Sequence, residues 1–132
     1  VKEINKFIKK NKNSILINSL GHEQYFSLCK QIDIMIGNSS SGIIEIPSFK
    51  KPTINIGSRQ NGRYKPISVI DSSHNTKEIL KKISFCTSKK FQEKIKNMQN
   101  PYFRENTSRK IKNVLKKIKF KNLIFKKFVD LN

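Results

Sequence analysis

Tryptophan and alanine are missing from this 132-residue chain, and cysteine, histidine, glycine and proline are scarce. Its two cysteines, Cys29 and Cys86, lie 57 positions apart within apolar patterns, which suits small buried side chains rather than a disulfide framework. Together with only two histidines, His22 and His74, they offer no metal-ligand spacing, so neither a structural metal nor a cofactor is expected. No run of 18 apolar residues exists and the chain does not open on a charged-then-apolar pattern, so neither a spanning helix nor a secretory leader is expected. A cytoplasmic location is the expectation. The chain opens at Val1 rather than at methionine and is expected to be part of a longer polypeptide.

Acidic residues are also few, nine against 28 basic, for a net charge of +19. Such a balance raises the question of a nucleic-acid or anionic membrane partner. The charge concentrates late: up to Thr76 there are 11 basic and 5 acidic residues, and beyond it 17 and 4. Yet 24 of the basic residues are lysine, and Lys, Asn and Ile fill 58 of the 132 positions. All three have A/T-rich codons, so genome composition explains much of the bias. A phosphate or base-reading groove draws on arginine's planar fork instead. Neither a specific nucleic-acid partner nor a membrane is expected.

What the chain does have is an alternation of short strands and helices. Ile4, Phe7 and Ile8 form an amphipathic stripe over residues 2–12. SILIN (14–18) reads as a strand, and Tyr25, Leu28, Cys29 and Ile32 share one face of a helix over 22–32. DIMIG (33–37) is almost wholly apolar, as suits a parallel strand buried on both faces. TINI (53–56) is a third strand, 68–70 a fourth, and 76–83 another helix. After Ser88 the pattern is helical, broken only at Asn100-Pro101. This grammar predicts an α/β fold with a Rossmann-like parallel sheet, where ligands bind beyond the carboxyl ends of the strands.

Two such loops fall in GNSSSGIIEIPSFKKPTINIGSRQNGR, residues 37–63. Ser39, Ser40, Ser41 and Gly42 lead from a strand into a helix, where free N–H groups and the helix dipole attract an anion. The loop is neither GxGxxG nor a Walker A sequence. Serine is also a favoured N-cap, and on the loop alone capping is the simpler account. Glu45 shifts that balance, because it lies about 8 Å further along the helix axis in an otherwise isoleucine-rich segment. There its carboxylate is placed to accept two ribose hydroxyls. Pro47 must shorten or distort this helix, and Arg59 and Arg63 offer charged donors from the next loop. Asp71, Ser72, Ser73 and His74 are too close in sequence for a catalytic triad and read as a turn capping the next helix.

The block IGNSSSGIIEIPSFKKPTINIGSRQNGR resembles the C-terminal half of the UDP-N-acetylglucosamine 2-epimerases, and of these the hydrolysing branch that feeds sialic-acid-type and legionaminic-acid-type sugars. SLGHEQYFSLCKQIDIMIGN, NPYFRENTSRKI and a late KKF support the likeness across nearly the whole chain. The resemblance implies a two-domain, glycosyltransferase-B-like fold with UDP-sugar in the cleft between domains. It implies that Ser39 and Ser40 hold the diphosphate, Glu45 the ribose and Arg59 the UDP, with Leu20 and Tyr25 bordering the uracil. Gly42 and Arg63 complete the expected set. The implied chemistry is elimination of UDP to an unsaturated sugar, then hydration with inversion at C2. The family's catalytic acids lie in an N-terminal domain outside this chain, so no catalytic residue is assigned within it. Lys50 stands where the family often has glycine, and Phe103 and Glu105 replace glycines in the NPY loop.

Residues 1–99 are therefore expected to form the UDP-binding domain. Residues 100–132 are expected to form a helical segment that packs on the N-terminal domain, with Ile111, Val114, Leu115, Ile118 and a dense run from Phe120 to Phe128 as its apolar stripe. Expected partners are a UDP-sugar, that domain, and further copies in a homodimer or homotetramer. A glycosyltransferase nucleotide-sugar domain and a basic nucleic-acid- or membrane-binding module are the alternatives.

Overall fold

Three strands, β1 (Met35–Gly37), β2 (Thr53–Ile56) and β3 (Val69–Ser72), lie parallel in the order β1-β2-β3. The computed structural model describes residues 2–118. Helices α1 (Lys2–Lys10) and α2 (Gly21–Gln31) precede the sheet. Helix α3 (Ser41–Ile44) and a 3-10 turn at Ile46–Phe49 join β1 to β2, and α4 (Thr76–Cys86) and α5 (Lys89–Lys96) follow β3. These elements belong to one compact unit ending at Tyr102, and a second unit begins at Phe103 and contains α6 (Thr107–Lys117). The first unit is the expected Rossmann-like arrangement.

Strand alternation decides which layer each residue joins. Ile54, with Ile34, Ile56 and Ile70 packed around it, faces Cys86, Phe91, Ile95 and Met98 from α4, α5 and the segment after them. Ile54 and Ile95 are fully buried, and each such side chain contributes about 2 kcal/mol of hydrophobic stabilisation. Thr53 points the other way, toward α3. A Cβ on Gly42 would lie 2.6 Å from the Thr53 Cγ2, so only glycine lets this helix approach the strand. The Thr53 hydroxyl donates to the Gly42 carbonyl at 2.8 Å, fixing that contact.

The helix after β1 stops after one turn because Pro47 has no N–H to continue it. The Ile44 carbonyl that loses its helical partner accepts instead from the Asn100 side-chain amide at 2.8 Å. The same amide donates to Ser48 Oγ at 2.7 Å, and Asn100 Oδ1 accepts from the Tyr102 N–H at 3.0 Å. Asn100 is buried and acts as a latch across more than fifty residues of chain. Tyr102 extends the latch by donating from its hydroxyl to the Tyr64 carbonyl at 2.8 Å.

Three expectations are corrected. SILIN is not a strand: Ile15 is 81% exposed, and among the described residues no neighbouring strand satisfies its backbone. Apolar alternation cannot make a strand without a hydrogen-bonding partner. DIMIG is a strand over its last three residues only, and it lies at the edge rather than buried on both faces, leaving Ile36 43% exposed. The chain after Ser88 is less helical than its pattern, since residues 97–106 form turns and loop between α5 and α6. α1 forms, but none of its residues is buried. The run from Phe120 to Phe128 lies outside the described residues.

Lys50 ends the 3-10 turn with φ 57° and ψ 34°, the left-handed conformation that suits glycine best. Its ammonium group donates to the Met98 carbonyl, an interaction glycine could not make. Lys50→Ala and Lys50→Gly both delete that bond, so their difference isolates the backbone. Urea denaturation should find the glycine variant more stable than the alanine variant by about 1 kcal/mol. Equal stabilities would mean that the turn relaxes out of the left-handed region.

Candidate nucleotide site at the strand ends

β1 ends at Gly37 and β2 at Ile56, and the loops that leave them are tied together by Asn38 and Gln60. The Gln60 side-chain amide donates to the Asn38 carbonyl at 2.8 Å, and Arg59 Nη1 donates to Asn38 Oδ1 at 3.5 Å. Gln60 is only 4% exposed, so the second loop is anchored from beneath while Arg59 and Arg63 stay exposed above it. Gln60 Oε1 has no partner among the described residues.

The serine loop uses each hydroxyl differently. Ser39 Oγ accepts from the Ser41 N–H at 3.3 Å, and the Ser39 and Ser40 carbonyls receive the N–H groups of Gly42 and Ile43 at 3.2 and 3.0 Å. Among the described residues, the backbone N–H groups of Ser39 and Ser40 have no hydrogen-bond partner. Ser40 is the N-cap residue of α3, yet its side chain makes no capping bond. Simple capping therefore does not account for the Ser40 hydroxyl. Ser41 Oγ donates to Glu45 Oε2 and is itself bonded to the Tyr25 hydroxyl. Glu45 sits at the junction of α3 and the 3-10 turn, half-buried among isoleucines.

α2 delivers Tyr25 to this loop. Its buried Cys29 fixes one face, and Phe26 packs on Phe49 of the 3-10 turn with ring centroids 5.7 Å apart. His22, exposed at the helix start, packs edge-on against Phe26 at 4.4 Å. Leu20 is the half-buried residue preceding α2, little more than one turn before Tyr25. Burial pushes the Tyr25 phenol above its ordinary value of 10.0, although the Ser41 hydrogen bond opposes that rise. At neutral pH Tyr25 is therefore a protonated donor.

The third strand end adds His74. Gly57 has φ +75°, a backbone conformation that favours glycine, and a Cβ there would lie 2.8 Å from the ring of the exposed His74, which would have to swing aside. The capping turn forms, but Asp71 and Ser72 belong to β3 and the cap itself is Asn75: Asn75 Oδ1 accepts from the Glu78 N–H at 3.1 Å, and Ser73 Oγ accepts from the Asn75 N–H at 3.2 Å. Asp71 is drawn away from any triad, accepting from Asn55 at 2.7 Å and pairing with Lys65 at 2.8 Å. Among the described residues no group of three or more His, Cys, Asp or Glu side chains could hold a metal ion, and no helix is long and apolar enough to cross a membrane.

The structure thus brings Ser39, Ser40, Glu45, Tyr25 and Arg59 to one end of the sheet. Gly42 is buried against Thr53, and Arg63 makes no side-chain bond among the described residues. The sequence pattern does not single out Asn38 or Gln60, marks Asn100 only as part of a helix break, and includes Ser41 only as part of the serine run. The bonds that tie them to other elements span 16 or more residues, from Tyr25–Ser41 to Asn100–Ile44, and of the local contacts the i, i+4 spacing of Ser41 and Glu45 is the one helical signal.

These loops crown the carboxyl ends of a parallel sheet in a Rossmann-like α/β domain. The chain belongs to the UDP-N-acetylglucosamine 2-epimerase family, whose model matches residues 1–116. It is 40% identical over 131 residues to the polysialic acid biosynthesis protein P7 of Escherichia coli, covering 98% of this chain and 33% of that protein. It is 40% identical over 124 residues to the GDP/UDP-N,N'-diacetylbacillosamine 2-epimerase (hydrolyzing) of Campylobacter jejuni, covering 93% of this chain and 32% of that protein. A UDP-N,N'-diacetylbacillosamine 2-epimerase (hydrolyzing) of Legionella pneumophila is 45% identical over 56 residues, 42% of this chain and 15% of that protein. The chain spans about a third of the length of the first two relatives.

Charge near the third strand end yields a pH dependence. The Lys82 ammonium, then the Ser73 hydroxyl, hold the Glu78 carboxyl down to about 2 from an ordinary 4.5. At Asp71 burial opposes ionisation, but the bonds from Lys65 and Asn55 outweigh it and lower the pKa. A depressed carboxyl contributes stability that is complete above its unfolded value and is lost as pH falls through its folded value. For Glu78 that window runs from 4.5 down to about 2. Denaturant unfolding across this range should show stability falling with pH, more gently in Glu78→Gln. An unchanged slope in that variant would show that Glu78 is not linked to folding.

Proposed function

We propose that this chain is the UDP-binding part of a hydrolysing UDP-sugar 2-epimerase acting on UDP-N-acetylglucosamine or a diacetylated relative. The observation that carries this reading is the convergence at one sheet end of two backbone N–H groups that have no partner among the described residues, a half-buried carboxylate and a tethered arginine. Ser39 and Ser40 face the diphosphate with hydroxyls and backbone N–H groups, Glu45 accepts from the ribose hydroxyls, and Arg59 and Arg63 neutralise phosphate charge. Leu20 and Tyr25 border the base, and Gly42 lets α3 sit close enough to β2 to aim the serine loop. The family assignment and the two hydrolysing relatives support the reaction class: UDP leaves first, and water then adds with inversion at C2.

Binding is the larger share of what these residues can do. Elimination requires a base for the C2 proton and an acid for the departing UDP oxygen. Glu45 is the carboxylate at the serine loop, and both the ribose and Ser41 engage it. The catalytic acid and base are therefore assigned to sequence beyond these residues, in a domain that closes over the sugar. The second unit, with α6, is read as the face that meets that domain, and assembly into dimers or tetramers belongs to the same proposal.

Glu45→Ala or Arg59→Ala each removes a charged hydrogen-bonding group worth roughly 1.5–3 kcal/mol. Calorimetry should show UDP affinity falling about 10- to 100-fold. Glu45→Ala should leave inorganic pyrophosphate almost unaffected, since that ligand has no ribose. Parallel loss of both ligands would rule out the ribose assignment.

The 132 residues alone should bind UDP without releasing it from UDP-N-acetylglucosamine, because affinity without the acid and base gives almost no rate. UDP release is the assay, run with and without the remaining two-thirds of a matching relative. Robust turnover by these residues alone would place the catalytic groups within them.

A further inference from the structure

We propose that Ser41 is a positioning residue of the ribose site, holding the Glu45 carboxylate in place and itself held by the hydroxyl of Tyr25. The assignment rests on the reading of Glu45 as the ribose-binding group, and it adds two residues whose hydroxyls that reading does not use.

Direction follows from donor counting. A carboxylate only accepts, so the single hydroxyl hydrogen of Ser41 goes to Glu45 Oε2. Ser41 Oγ must then accept from Tyr25, whose phenol keeps its proton at neutral pH. The chain therefore runs one way, from Tyr25 through Ser41 to Glu45. Polarised in series, each hydrogen bond strengthens the next, and the Ser41–Glu45 contact is partly buried.

Ser41 cannot easily drift. Its N–H is held by Ser39 Oγ at 3.3 Å, and its carbonyl accepts from the Glu45 N–H at 2.9 Å. One turn of helix thus carries both the donor and the carboxylate it orients. Tyr25 comes from a different helix, so the relay also couples the position of α2 to that of the carboxylate. With Oε2 engaged, Glu45 Oε1 has no partner among the described residues and faces a ligand as a fixed acceptor. A carboxylate free to rotate would lose that preorganisation on each binding event.

The test is a double-mutant cycle in the full chain, with UDP, 2′,3′-dideoxy-UDP and inorganic pyrophosphate as calorimetric probes. Tyr25→Phe keeps the ring against the base and removes only the hydroxyl. Ser41→Ala removes the link. Each should weaken UDP about 5- to 10-fold and leave dideoxy-UDP and pyrophosphate within about twofold, and the double variant should match Ser41→Ala alone. With pyrophosphate affinity retained, losses that multiply in the double variant, or that fall equally on UDP and dideoxy-UDP, would overturn the relay. Pyrophosphate affinity near the parent value shows that a variant is folded; where Ser41→Ala fails this check, Ser41→Gly and Tyr25→Phe form the cycle. Glu45→Ala separates the two levels. If it leaves the UDP-to-pyrophosphate ratio unchanged, the ribose reading fails; if it collapses the ratio while Ser41→Ala does not, only the positioning role fails.

Discussion

The site depends on a helix that is forced to stop. Pro47 ends α3 after Ile44, and Glu45 is left at the hinge between an α turn and a 3-10 turn. Had the helix continued, its axis would have carried the chain past the strand ends and committed the Ile44 carbonyl to the ladder. Instead that carbonyl accepts from Asn100, and the next strand begins after Pro52, whose own carbonyl receives the Met35 N–H at 3.0 Å. An early helix stop is costly unless its freed carbonyl finds a donor. Asn100 is that donor, and the NPY sequence is explained by packing geometry without reference to any ligand.

A second constraint is the parallel sheet itself. Parallel strands bring every carboxyl end to one edge, so loops separated by some twenty residues become neighbours. Asn38, Gln60 and Arg59 exploit this, joining loop to loop through one backbone carbonyl and one side-chain amide. Gly42 and Gly57 sit where a β-carbon would collide with Thr53 or with His74. Sparse glycine is thus placed where close approach demands it, and left-handed Lys50 shows the same geometry met by a different residue.

Much of this was legible in the sequence, and the failures have a common cause. TINI, the 76 helix and the strand–serine–helix passage are local patterns, set by alternation, capping and proline chemistry. SILIN and DIMIG carry the same apolar signal, yet one makes no strand and the other forms an exposed edge, because pairing depends on neighbours that periodicity does not encode. Glu45 was visible as an odd charge among isoleucines. Its restraint by Ser41 and Tyr25, and the Asn38–Gln60 tether, arise only when separate elements meet.

The charge pattern can now be weighed against the site. Lysine is the default cation of this chain, 24 of 28, so its presence on a surface carries little information. Arginine is the exception, and two of its four occurrences lie in the single loop after β2. Arg59 is there held near Asn38, whose carbonyl also receives the buried Gln60. A lysine would supply the same charge on a stem with more freedom and without a planar fork. Against so strong a compositional pull toward lysine, an arginine in a tethered loop is a departure that net charge alone does not account for. The +19 therefore says more about composition than about partners, and the informative cations are the few that depart from it.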